Sequence, residues 1–251
     1  MNILLTNDDG IYSLGLCALY EAFVQDGHHV TVVAPESERS AVGHSITLTD
    51  PIKVKRISRD GEEFGWAING TPADCVKLGI NALLEERPDM IISGINLGAN
   101  AGINVLYSGT VSAATEAAIM GIKAIAVSLD TFSDPEFCVA AFYAKDLANW
   151  FHNESSSCLA INVNIPALPA NKIAGIKVTA QSNRCFMEKF EKRKDPRGNV
   201  YFWQCTSSIH NVEDEDSDLA WLQKGYITIT PLKFNLTHKG CLDKIRPPFL
   251  N

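Results

Sequence analysis

The chain has 251 residues, 46% of them apolar and 20% charged, and a formal net charge of −7. This is the composition of a folded globular protein, long enough for one large α/β domain or two small ones, and it excludes a largely disordered chain. The acidic balance argues against a general nucleic-acid binder, which needs basic residues to release counterions from phosphate. The opening residues, MNILLTNDDG, hold no basic n-region, no apolar h-region and no small-residue cleavage site. No apolar run approaches the roughly 18 residues that span a bilayer. The seven cysteines are scattered and form no CxxC pair, a pattern that suits a reducing cytoplasm. The expectation is a cytoplasmic protein that needs no membrane and no nucleic acid as a stable partner.

Asn2–Thr6 is an apolar run that fits a buried strand. Leu14–Val24 follows with helical spacing of Leu16, Leu19, Tyr20 and Phe23, and Asp26-Gly27 ends it. His29–Ala34 is rich in β-branched residues and stops at Pro35. Asn69–Leu84 opens with Thr71 as an N-cap and Pro72 at the first helical position. Asp89–Ser93 is another apolar strand, and Thr110–Met120 is a small-residue helix closed by Gly121. Lys123–Leu129 and Leu159–Ile165 are further strands, separated by an aromatic-rich helix from Asp134 to about Phe151. Apolar strands alternating with helices imply a parallel sheet covered on both faces.

From about Ile173 the chain becomes more polar. A basic stretch (Arg184, Lys189, Lys192, Arg193, Lys194) precedes an acidic one (Glu213 to Asp216, and Asp218). A short helix, Leu219–Lys224, is expected behind a Ser217 or Asp218 cap, and then a strand, Tyr226–Pro231. The expected division is a catalytic core over 1–172 and an oligomerisation region over 173–251. Residues 226–232 are left open between that region and the core. The first 165 residues supply a full set of βα units, so the last third is not needed to close the main sheet. Its aromatics (Phe186, Phe190, Tyr201, Phe202, Trp203, Phe234, Phe249) need something else to bury against.

In open α/β sheets, ligands bind beyond the carboxyl ends of the strands. Three such ends carry unusual polar residues: Thr6-Asn7-Asp8-Asp9-Gly10, the loop with Ser37, Arg39, Ser40, Gly43 and His44, and Ser93-Gly94-Ile95-Asn96-Leu97-Gly98-Ala99-Asn100. Adjacent carboxylates at the mouth of a buried strand persist most easily when a cation neutralises them. Asp8 and Asp9 are therefore candidate metal ligands, although Asp-Asp-Gly is also good turn chemistry. With Ser40 and Asn96 they make an all-oxygen set that suits Mg²⁺ or Mn²⁺ and argues against zinc. Taken singly, Asn96 reads first as a loop-capping amide and Ser40 as an ordinary loop hydroxyl. Ser108-Gly109-Thr110 opens a helix, where free N–H groups and a glycine can cradle phosphate; simple N-capping is the plainer alternative. Asn7 and Asn100 lie near these groups in sequence and are further candidate donors to phosphate. The chain has no GxxxxGK[ST] and no GxGxxG after its first strand, which excludes a P-loop NTPase and disfavours a nicotinamide dehydrogenase.

Taken together, Thr6–Ile11, Ala34-Pro35 with Ser40, Gly70–Val76, Ser93–Asn100 and Tyr107–Ala114 closely resemble the SurE family, the survival-protein-E nucleotidases. Order and spacing match over nearly the whole chain, including the late Gly225–Leu232. The resemblance implies a Rossmann-like three-layer core with a smaller C-terminal part exchanged between subunits of a homodimer, or a homotetramer. It implies a metal-dependent phosphatase of nucleoside 5′- and 3′-monophosphates, with some exopolyphosphatase activity, whose cation is held by residues matching Asp8, Asp9, Ser40 and Asn96. One departure is local: Asp216-Ser217-Asp218 stands where the family often has Gly-Thr-Asp.

Phosphomonoester hydrolysis is very slow unaided, so the site must supply large transition-state stabilisation. A metal-activated water is the favoured nucleophile, and an aspartyl-phosphate on Asp8 or Asp9 the rival. His44, near Ser40, is a candidate general acid for the leaving oxygen. A non-catalytic nucleotide or phosphate sensor would have no need of the adjacent carboxylates. A metal-dependent glycosyltransferase would normally need a longer chain with two comparable domains.

Overall fold

The computed structural model describes residues 1–59, 61–133, 135–183, 186–209 and 215–245, with backbone alone for 186–188 and 206–209. Among these residues the strands are β1 (Asn2–Thr6), β2 (His29–Pro35), β3 (Val54–Arg59), β4 (Glu62–Ile68), β5 (Met90–Leu97), β6 (Lys123–Asp130), β7 (Ala160–Pro166), β8 (Gly175–Val178), β9 (Phe186–Lys194), β10 (Val200–Ile209) and β11 (Tyr226–Leu232). The α-helices are α1 (Leu14–Gln25), α2 (Pro72–Leu78), α3 (Gly109–Ile119), α4 (Phe137–Asn153) and α5 (Asp218–Gln223). The main sheet has the order β3-β4-β2-β1-β5-β6-β7-β11-β8, and β9 and β10 form a separate antiparallel pair.

Strand alternation sorts the core into two layers. Ile3 and Leu5 of β1, Met90 and Ile92 of β5, and Ile125, Val127 and Leu129 of β6 face α1 and α4. Leu4, Ile91, Ala124 and Ala126 face the opposite way, toward α2 and α3. The residues under α3 are small on both sides, since the helix contributes Ala113, Ala114 and Ala117. That lets the helix lie close to the sheet, with its start near the ends of β1 and β5.

The core elements follow the expectation within a few residues at each end. Thr71 caps α2 in a full capping box with Asp74, and Pro72 takes its first turn. Ser217 caps α5. The expected start of α4 at Asp134 lies outside the described residues, as do Arg184, Glu213, Asp214 and Phe249.

The expected parallel core is there, from β4 through β2, β1, β5 and β6 to β7, and the whole sheet is parallel-dominated and mixed. β3 runs antiparallel to β4, and β11 antiparallel to β7. β3, β4 and the β9–β10 pair were not expected as strands. Strand β3, VKRISR, buries only Ile57, and β9 reads FMEKFEKRK, so neither has the apolar run of a buried strand. Strand β4 is interrupted by Gly65, whose φ is +154° and whose place against the Val32 carbonyl leaves no room for a Cβ. The sheet also continues beyond the first 165 residues, because β11 and β8 add two strands past β7.

The chain builds outward from β1 in both directions. β2 and β4 lie on one side, and β5, β6 and β7 on the other, all parallel to it. The crevice between the carboxyl ends of β1 and β5 is thus the switch point where such sheets bind ligands.

Candidate active site

Asp8 and Asp9 leave β1 at this switch point. Asp8 is 3% exposed, and the first turn of α3 comes to it. The Thr110 N–H donates to Asp8 Oδ2 at 3.1 Å, and the Thr110 hydroxyl donates to Oδ1 in a short hydrogen bond. A Cβ on Gly109 would stand 2.8 Å from Asp8 Cβ and 3.0 Å from its Oδ2, so only glycine lets helix and carboxylate meet this closely. Burial raises the Asp8 carboxyl above its usual range, against the opposing pull of the hydrogen bonds from Thr110.

Asp9 is half-buried. Burial, together with the neighbouring carboxylates of Asp8 and Glu38, pushes it up to about 7. Glu38 was not singled out in the sequence, because nothing in a loop marks one glutamate as close to another element. It accepts the Ser40 hydroxyl at 2.6 Å. The Arg39 N–H donates to the Asp8 carbonyl at 2.7 Å, which ties the loop after β2 onto the end of β1. Ser40, Glu38, Asp8 and Asp9 therefore share one neighbourhood.

Asn96 lies at the end of β5, the strand beside β1, just past a shift in its register with β6. Its amide nitrogen donates to the carbonyls of Leu97 (3.1 Å) and Gly98 (2.7 Å). Those bonds fix the side chain through its donor end.

The asparagines at 7 and 100 serve the scaffold. Asn7 is fully buried. Its amide donates to the Gly10 carbonyl (3.0 Å) and the Ser13 hydroxyl (2.7 Å), and its oxygen accepts from Gly10 N–H (3.2 Å). Both amide hydrogens are engaged in its own turn and in the Ser13 cap of α1. Asn100 donates to Ser128 Oγ at 2.9 Å, while its backbone is held by Asn162 and Asn164 of β7.

The helix start also differs from an open cradle. Ser108 caps α3 by accepting Val111 N–H at 3.1 Å, and the Thr110 N–H is turned to Asp8. The positive end of α3 is thus turned on the Asp8 carboxylate.

Could this set hold a cation? Two carboxylates, a hydroxyl and an amide oxygen are the donors that hard divalent ions take. Burial first, and the neighbouring carboxylates after it, disfavour the charged form of Asp9, and a cation bound there would relieve both. The residues fit such an ion. Among the described residues no group of three or more His, Cys, Asp or Glu is placed to hold a metal ion, so a cation here would rest on the two carboxylates with neutral oxygens.

Comparison with known proteins gives the family. The family described as "Survival protein SurE" matches residues 3–188. The chain belongs to the SurE family. A relative from Syntrophobacter fumaroxidans named 5'-nucleotidase SurE is 48% identical over 98% of both chains. One of the same name from Syntrophus aciditrophicus is 47% identical, over 98% of this chain and 93% of its own. The SurE protein from Aquifex aeolicus, known from a crystal structure, superposes with a TM-score of 0.85 at 39% identity, covering 98% of each chain. The SurE fold therefore extends through the C-terminal strands, beyond the matched family segment.

Proposed function

We propose that this SurE-family chain is a phosphatase that hydrolyses nucleoside 5′- and 3′-monophosphates, with exopolyphosphatase activity on short polyphosphate. Its divalent cation, Mg²⁺ or Mn²⁺, is held by Asp8, Asp9, Ser40 and Asn96. The observation that carries this reading is the meeting of two adjacent carboxylates with a helix start at the sheet's switch point. The names of the relatives support the substrate class.

The bound cation supplies positive charge to phosphoryl oxygens and lowers the pKa of water. The chain's own residues prepare that chemistry. Thr110 orients Asp8, and Glu38 orients the Ser40 hydroxyl. Asp8 and Asp9 place negative charge where only a cation relieves it. Ser108, Gly109 and Thr110 bring the positive end of α3 to the phosphate side of the site. Both Asp8 oxygens accept from Thr110 and each keeps a lone pair for the cation.

The exposed aromatics of the β9–β10 pair support a homodimer or homotetramer. Phe202 and Trp203 are 58% and 56% exposed in the single chain, more apolar surface than a lone hairpin keeps in water. We further place the protein in the cytoplasm, from its scattered free thiols. No helix among the described residues is long and apolar enough to cross a membrane.

The test is phosphate release from a panel of nucleoside monophosphates and short polyphosphate. Release should stop in EDTA and return with Mg²⁺ or Mn²⁺. Nucleotide binding with no release under any metal would instead identify a sensor.

A further inference from the structure

The connection from β2 to β3 spans residues 36–53 with no helix or strand, and it carries Ser40. A connection of this length has no geometry of its own, so contacts elsewhere must fix it. Two helices provide them. Gly43 N–H donates to the Tyr107 carbonyl at 2.9 Å, just before α3. Thr47 donates through its N–H (3.1 Å) and its hydroxyl (2.7 Å) to Asp74, the capping-box residue of α2. Between these two points, His44 Nε2 lies 2.8 Å from Glu116 Oε2 on α3.

Glu116 is a carboxylate with only 6% of its side chain exposed. A charge so placed is tolerated only when paired. Lys77 of α2 reaches its other oxygen at 3.2 Å, and His44 completes the pairing from the loop. The other ring nitrogen of His44 lies 3.3 Å from the Thr115 hydroxyl. Both nitrogens therefore face protein groups, which favours a positioning role over that of general acid.

We propose that His44 is a positioning residue: clamped on Glu116, it fixes the loop that presents Ser40 and so sets how tightly the chain takes its cation. The proposal rests on the reading of Asp8, Asp9, Ser40 and Asn96 as the cation's ligands. It acts through the backbone from residue 44 to residue 40, a stretch that Arg39 anchors at one end on the Asp8 and Asn69 carbonyls and that Gly43 and His44 anchor at the other.

The test is calorimetric titration of the metal-free full chain with Mn²⁺, run beside kcat and KM on a nucleoside monophosphate. His44→Ala should raise the Mn²⁺ Kd about tenfold, the low end for groups that orient metal ligands, and lower kcat with KM little changed. His44→Gln, which keeps a donor toward Glu116, should stay close to wild type. Lys145→Ala is the control: it removes an ion pair with Asp26 at 3.1 Å between α4 and α1, on the other side of the sheet, and should leave both readouts unchanged. If His44→Ala does not fold, Glu116→Gln carries the same expectation, because it keeps the shape and removes the charge of the clamp. Wild-type Mn²⁺ affinity in the folded His44→Ala or Glu116→Gln protein would overturn the proposal. A wild-type chain that takes up no Mn²⁺ would overturn the cation-site reading itself, and the proposal with it.

Discussion

Replacing Asp9 by asparagine should abolish hydrolysis and, without metal, stabilise the fold. The substitution keeps the side chain's volume and removes one negative charge. In the folded protein the Asp9 carboxyl is pushed up to about 7 from an ordinary 3.8. Between those two values the folded state binds a proton that the unfolded state has released, so stability falls as pH rises through that window. Above about pH 7 the penalty is complete. At ~1.4 kcal/mol per pKa unit its ceiling is on the order of 4 kcal/mol. Asp9 is only half-buried, and solvent screens an exposed charge strongly, so we expect about 1–2 kcal/mol.

The assay is urea unfolding of wild type and Asp9→Asn in EDTA, at about pH 8 and again near pH 4. The variant should be more stable at the higher pH, and the difference should shrink toward zero at the lower. Saturating Mn²⁺ should reverse the order, because a ligand that binds only the folded state stabilises in proportion to its affinity. A variant less stable than wild type in EDTA at pH 8 would refute the electrostatic argument. Equal stabilisation of both proteins by Mn²⁺, with turnover retained, would refute the site.

Two further substitutions probe the neighbouring contacts. Gly109→Ala places a Cβ 2.8 Å from Asp8 Cβ and 3.0 Å from Pro72 Cγ, so it should cost about 1–3 kcal/mol of stability by overpacking and weaken Mn²⁺ affinity and turnover together. Loss of phosphate inhibition with Mn²⁺ affinity intact would instead restore an open phosphate cradle at the helix start. Trp203→Glu on the exposed face of β10 should leave the fold intact and shift light-scattering mass toward the monomer. An unchanged oligomer would show that these aromatics are not the contact.

The parallel core was legible because each of its strands is an apolar run that must be covered on both faces. Thr71-Pro72 and Ser217 announced their helix starts through ordinary capping chemistry. The edge strands were not legible. A strand such as β3 buries one residue, so its sequence carries charge where a pattern would be. Strand β4 breaks its own apolar pattern at Gly65 because the Val32 backbone crosses there, a contact between residues 33 positions apart that no local reading contains. The hairpin of β9 and β10 is held by backbone pairing over Phe186–Ile209, and its charged alternation is indistinguishable from a solvated loop.

The site divides in the same way, between what spacing can say and what only packing can. Spacing nominates Asp8 and Asp9 together, as two equal carboxylates. Packing makes them unequal. Asp8 is drawn under α3, where Thr110 takes both its oxygens and Gly109 allows the approach, so its place is fixed before any ligand arrives. Asp9 stays in reach of solvent, with Asp8 and Glu38 beside it, and is left with unfavourable charge. A pair built this way is preorganised on one side and short of positive charge on the other, which is the condition under which a cation gains most from binding. Under the proposed function, the same packing gives Gly109 and Thr110 their part: they serve a phosphate by holding the carboxylate that would draw the cation to it.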